Sequence, residues 1–151
     1  MNRKIILLVD DDCDDAEFFK WAMAGTEETF AIEFVDSGDA ALQLLSELKS
    51  LPDLILLDAG MPKMDGWELL KIIKQEQRFA KVPVIMMATS SRMKGIDEAQ
   101  FLGAHAYIVK PSDFNELKLI MHELCIGVQN DLTGTLQKMH SNLPKNIFTF
   151  S

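Results

Sequence analysis

The chain is poor in the residues that build several common kinds of site. It has only two cysteines, Cys13 and Cys125, with no CxxC pair between them. That excludes a disulfide-stapled scaffold and fits two free thiols, both expected buried or half-buried, in a reducing cytoplasm. Its three histidines, His105, His122 and His140, have no metal-ligand spacing and read as structural or exposed. Basic residues are outnumbered: 15 Lys and Arg face 23 Asp and Glu, for a formal net charge of −8. That balance argues against a nucleic-acid surface. No apolar run approaches the length of a membrane helix. Arg3 and Lys4 precede an apolar run, but it stops after five residues at three aspartates, unlike a secretory signal. Internal repeats and low-complexity tracts are also missing.

What remains is a chain of 151 residues, 48% apolar, which suits one domain with a full core. The nine methionines read as core filler. Five short apolar runs organise it. Ile5 to Val9 leads into Asp10-Asp11, and Leu54 to Leu57 into Asp58. Val84 to Met87 leads into Ala88-Thr89, and Ala106 to Val109 into Lys110-Pro111. The other run, Ile32 to Val35, ends at Asp36-Ser37 and carries no such chemistry. As parallel strands, these runs would set four polar ends along one sheet edge. Ligands in open α/β sheets bind at that carboxyl edge. Three acids, a hydroxyl and a lysine then meet there, which reads as a magnesium-assisted phosphoryl site.

Helical patterns separate the runs. Asp14 and Glu17 have the spacing of a capped start, followed by Phe18, Phe19, Trp21, Ala22 and Met23 and closed by Gly25. Ala40, Ala41, Leu44, Leu45 and Leu48 keep a period near 3.6 after Ser37-Gly38-Asp39. Asp65 and Glu68 flank a third start, with Leu69, Leu70 and Ile73 as its stripe. A fourth helix is expected near 95–102. Ser112 or Asp113 caps a fifth, with Leu117, Ile120, Met121, Leu124 and Val128 on one face. The βαβαβαβαβα order predicts a doubly wound α/β domain with helices on both faces of a parallel sheet. Residues 129–151 carry Asn130, Gly134, Asn142, Pro144 and Asn146 and predict a poor helix, although Leu132, Leu136 and Met139 keep some periodicity. Ile147, Phe148 and Phe150 dock on the domain, dock on a partner or hang free; residue pattern does not choose.

Three segments together resemble the receiver domain of two-component response regulators, of the stand-alone, CheY-like kind. They are the acidic pair Asp10-Asp11, the stretch Pro52 to Asp58 continuing through Met61-Pro62-Lys63-Met64-Asp65-Gly66, and the stretch Gly103 to Pro111. The resemblance spans roughly residues 3 to 127. It implies the flavodoxin-like strand order 2-1-3-4-5. Residues 3–128 are then the receiver domain and 129–151 a C-terminal extension, too short for a separate effector domain.

Asp58 is the expected phosphoacceptor, since a carboxylate at a strand end can attack a phosphoryl group and form an acyl phosphate. A divalent cation would remove the repulsion between the two anions. Asp10 and Asp11 are the expected Mg2+ carboxylates, because magnesium takes hard oxygen ligands. The resemblance implies that Asp11 binds directly, Asp10 mainly through water, and that the Gly60 carbonyl is a further ligand. Asp12 reads as a solvated loop charge. Lys110 is the expected clamp on a phosphoryl oxygen, and the resemblance implies a cis Lys110-Pro111 bond that aims it inward. The family's Ser/Thr position falls on Ala88. Thr89 stands one residue further, which in a regular strand points to the opposite face. Either Thr89 or Ser90 bends in, or the hydroxyl is missing. Tyr107 matches the family's aromatic switch position, with a half-buried strand tyrosine as the alternative.

These residues predict a phosphorylation-dependent signalling switch and not a turnover enzyme. A sensor histidine kinase or a phosphotransfer protein would be the donor. An unidentified output protein would read the result, with no DNA or membrane partner. Ala88 motivates an alternative, an interaction module that works without phosphorylation. A haloacid-dehalogenase-like phosphatase would need an aspartate two residues after Asp58, where Gly60 stands.

Overall fold

The computed structural model describes residues 3–25, 29–89 and 93–150. Among the described residues six strands form one sheet: β1 Lys4–Val9, β2 Phe30–Val35, β3 Leu54–Asp58, β4 Val84–Ala88, β5 Ala106–Val109 and β6 Ile147–Thr149. Their order is β2-β1-β3-β4-β5-β6. The first five are parallel and match the expected 2-1-3-4-5 order, while β6 adds an antiparallel edge. The helices are α1 Cys13–Ala22, α2 Gly38–Glu47, α3 Gly66–Gln75, α4 Met93–Phe101, α5 Phe114–Gln129 and α6 Leu132–Asn142, with a 3-10 turn at Gln77–Phe79.

Strand alternation sorts the core into two layers. Ile6, Leu8, Leu54, Leu56, Ile85 and Ile108 face α1, α5 and α6, meeting Phe19, Ile120, Leu124 and Leu136. Leu7, Val9, Ile55, Leu57, Met86 and Tyr107 face α2, α3 and α4, meeting Ala41, Leu45, Leu69, Ile73, Ile96 and Ala99. The central strands are buried on both sides, which is why they read as unbroken apolar runs. Both thiols are free; Cys125 is buried as expected, whereas Cys13 is exposed, a correction that follows from its place at the first turn of α1.

Side-chain caps start the helices. Ser37 accepts from the Ala40 amide at 3.1 Å, Asp65 from Glu68 at 2.9 Å and Asp113 from Asn115 at 2.7 Å. At α1 the capping residue is Asp12, which accepts from the Asp14 amide at 2.9 Å. This corrects the expectation of an Asp14 cap; Asp12 is exposed, as a solvated charge should be, and its carboxylate also caps α1. The helix starts two residues earlier because the strand ends just before it and its first amides need an acceptor at once.

Residues 132–142 form α6 in spite of their weak propensity. Burial overrides it: Leu136 and Met139 sit against α5 with almost no exposure. Gly127 of α5 permits the approach, since a Cβ there would lie 3.0 Å from the Thr135 side chain and 3.2 Å from Leu132. The chain then docks on the domain as β6. The Val109 amide donates to the Asn146 carbonyl at 2.8 Å, and the Asn146 side chain donates to the Val109 carbonyl at 2.9 Å. Ile147 is fully buried. Ile147→Ala is expected to cost about 2 kcal/mol, the low end for such truncations because an edge strand can relax. Urea unfolding followed by circular dichroism checks this.

Candidate functional site

The register of the sheet builds the site. Val9 pairs with Leu57, Asp58 with Met87 and Ala88 with Val109, so β1, β3, β4 and β5 end together. The residue after each end, or at it, opens into a cleft of about 1120 Å³. Asp10, Asp11, Asp58, Gly60, Thr89, Tyr107 and Lys110 all line it. The expected site residues are therefore brought to one place.

Asp10, Asp11 and Asp58 each present a carboxylate oxygen within 4.8 Å of the others. Asp10 is the deepest, at 2% exposure. Its Oδ1 accepts the Asp12 amide at 2.9 Å, and its Oδ2 the Lys110 ammonium at 3.1 Å. Burial nevertheless outweighs both contacts and pushes the Asp10 carboxyl up to about 7. Burial also raises Asp58, against the opposing pull of Lys110 and the Gly60 amide. Three crowded carboxylates with too little positive charge can hold a hard divalent cation.

Lys110 carries the positive charge. Its Nζ lies 2.7 Å from Asp15, 3.1 Å from Asp10 and 3.4 Å from Asp58. Burial lowers the ammonium, but the Asp15 hydrogen bond and the Asp10 and Asp58 charges prevail, leaving it raised. No cis peptide occurs among the described residues, so the expected cis Lys110-Pro111 bond is corrected to trans. The lysine still points inward because its strand end already faces the acids: its amide donates to the Ala88 carbonyl at 2.7 Å.

Sequence reasoning missed Asp15, the shortest contact of Lys110. A signal was present. Asp15 stands four, seven and eight residues before Phe19, Ala22 and Met23, all buried. It is an acid at the head of the inward stripe of α1, where a solvated charge does not belong.

Ala88 ends β4 with 8% exposure and lines the cleft, while Thr89 beside it is exposed at the rim. Ser90 lies outside the described residues. Tyr107 is 2% exposed, more buried than a half-covered strand residue. Its ring stacks on Trp67 at 6.4 Å and meets the edge of Phe148 at 6.3 Å. Gly95 makes room for it, since a Cβ there would lie 3.2 Å from the tyrosine hydroxyl.

A family model, the response regulator receiver domain, matches residues 6–122. The chain belongs to this family. The receiver is 35% identical over 124 residues to the probable methanogenesis regulatory protein FilR2 of Methanothrix harundinacea, covering 80% of each chain. Among solved structures it is similar to the phosphorylated cyanobacterial phytochrome response regulator RcpA. The TM-score there is 0.80 at 29% identity, covering 85% of this chain and 96% of that one. It is also similar to the Mn2+-bound form of response regulator Rcp1, with TM-score 0.70 at 28% identity, covering 80% and 91%. The receiver is thus a domain of two-component signalling and not a conventional enzyme. Among the described residues no helix is long and apolar enough to cross a membrane.

Proposed function

We infer that this receiver is a phosphorylation-dependent switch in a cytoplasmic phosphorelay. Asp58 accepts a phosphoryl group from phosphohistidine on a sensor histidine kinase or a phosphotransfer protein. A bond forms between an Asp58 oxygen and phosphorus as the phosphorus–nitrogen bond breaks, and the electron pair stays on the imidazole. The observation that carries this reading is the meeting of three carboxylates within 4.8 Å, with Lys110 Nζ 3.4 Å from Asp58.

Asp10, Asp11, Asp58 and the Gly60 carbonyl would hold Mg2+. When bound, the cation offsets the repulsion between the anionic donor and the carboxylates. Lys110 supplies a donor to a phosphoryl oxygen on the side of α1 and β5. Thr89 supplies the hydroxyl at the cleft rim in place of the side chain that Ala88 lacks. Tyr107 couples the cleft to Trp67 and Phe148, so its environment reports the state of Asp58 to an output protein. Residues 3–128 form the switching unit and 129–151 a C-terminal extension, within which α6 packs on α5 and β6 pairs with β5.

Incubation with acetyl phosphate and Mg2+, read by intact mass, tests the reading. The expected result is an adduct of about 80 Da, one phosphoryl group. Asp58→Asn abolishes it, and so does chelation of the metal. An adduct that survives Asp58→Asn, or no adduct at all in the parent protein, rejects the assignment.

A further inference from the structure

We propose that Asp15 is a positioning residue that draws the Lys110 ammonium toward α1, leaving Asp58 its longest contact until a phosphoryl group arrives. The proposal rests on the reading of Asp58 as phosphoacceptor. An ammonium has three donors, and Lys110 directs them at three carboxylates. The shortest contact, 2.7 Å, goes to Asp15, and the longest, 3.4 Å, to Asp58. The preferred partner of the lysine thus lies outside the three acids gathered around the metal position. It belongs to α1, whereas Asp10 and Asp58 follow or end strands. The backbone carrying Asp15 is held by the Asp12 cap and by buried Ala16 and Phe19.

Asp15 is also the partner most open to water. Its side chain is 27% exposed, against 3% for Asp10 and 14% for Asp58. An ion pair that water can reach is the cheapest one to open. When phosphorus bonds to Asp58 and leaves its donor, the charge at that position grows toward −2. The donor of Lys110 that faced Asp58 then turns to a phosphoryl oxygen. The Asp15 contact lengthens and is taken over by water. Asp15 therefore sets how readily Lys110 moves, and with it the rate of phosphoryl uptake and the lifetime of the product.

A time course with acetyl phosphate and Mg2+, followed by intact mass at several donor concentrations, tests this. Asp15→Asn keeps the shape and removes the counter-charge. Its maximal uptake rate is expected to rise roughly fivefold, the size of a partly exposed ion pair, and decay of the adduct to slow by a similar factor. Asp14→Asn removes an equal charge from the same turn of α1, at an exposed residue that is not among the three contacts of Lys110. It should alter only the half-saturating donor concentration, through the lowered overall repulsion. Asp15→Glu restores a carboxylate and is expected to return the maximal rate toward that of the parent. Equal maximal rates for Asp15→Asn and Asp14→Asn overturn the proposal, as does a slower Asp15→Asn, while leaving Asp58 as acceptor. A parent protein that takes up no phosphoryl group overturns both.

Discussion

Lys110→Met is expected to lower the stability of the metal-free protein by about 3 kcal/mol at pH 8, because it takes from the buried carboxylates the cation that pairs with them. At pH 5 the loss should shrink to about 1 kcal/mol, the size of an ordinary hydrogen-bond deletion. The difference comes from Asp10. Its folded carboxyl titrates at about 7, against 3.8 for the free group, chiefly because it is buried. Between those values the folded state keeps a proton that the unfolded chain has released. Stability of the parent therefore falls as pH rises from about 4 to about 7 and levels off above. Asp58, raised by burial, adds a contribution of the same sign. Removing Lys110 removes an influence that favours ionised Asp10, so the variant suffers most where Asp10 is charged. Divalent cation binding must displace that proton, so the affinity of the parent for Mg2+ should climb with pH through the same window. Thermal melts of both proteins at pH 5 and pH 8, with and without Mg2+, check all of this. Equal losses at the two pH values would mean that Lys110 acts through packing alone. The variant is also expected to lose most phosphoryl uptake, since no other cation lies within 4 Å of Asp58 among the described residues.

Gly66→Ala should be nearly as damaging, from a position with no titratable group. Gly66 is the first residue of α3 and is buried under the end of β3. A Cβ there would lie 2.3 Å from the Asp58 carbonyl oxygen and 2.9 Å from the Ala59 Cα. Both obstacles are backbone, so relief requires moving the end of β3 that carries Asp58 and the loop that follows it. Such overpacking costs about 3 kcal/mol, and the displaced carboxylate leaves the other two acids. Loss of both stability and phosphoryl labelling is the expected outcome. Gly38→Ala is the control. Its Cβ would meet only the Met64 side chain, 2.6 Å from the sulfur, and a flexible thioether can swing aside. Gly60→Ala should be milder still, since nothing lies within 4 Å of its Cβ position. If Gly66→Ala melts like Gly38→Ala, the clash is being absorbed elsewhere and the loop is softer than its packing indicates.

Much of the site was legible because its acids and lysine sit at the ends of apolar runs. Asp10, Asp58 and Lys110 announce themselves as charges where strands stop. Asp15 did not, because it lies inside a helix whose start was misplaced by two residues. Once Asp12 is the cap, the stripe through Phe19 and Met23 points Asp15 inward. The neighbouring Ala88 and Thr89 were legible as a departure from the family pattern, but which of them faces the cleft depends on how β4 ends. The tail was the largest misreading. Asn130, Gly134 and Asn142 speak against a helix locally, the periodicity of Leu132, Leu136 and Met139 speaks weakly for one, and burial of Leu136 and Met139 against α5 decides it.

Residue order alone dictated five parallel strands, their helices and the edge where charge gathers, because alternation and apolar runs are local patterns that burial must satisfy. Tertiary packing alone decided that Lys110 leans on Asp15, that Tyr107 is enclosed by Trp67 and Phe148, and that α6 packs on α5 while β6 extends the sheet. Those outcomes are distances between segments far apart in the chain, and a distance of that kind exists only after the two core layers have formed.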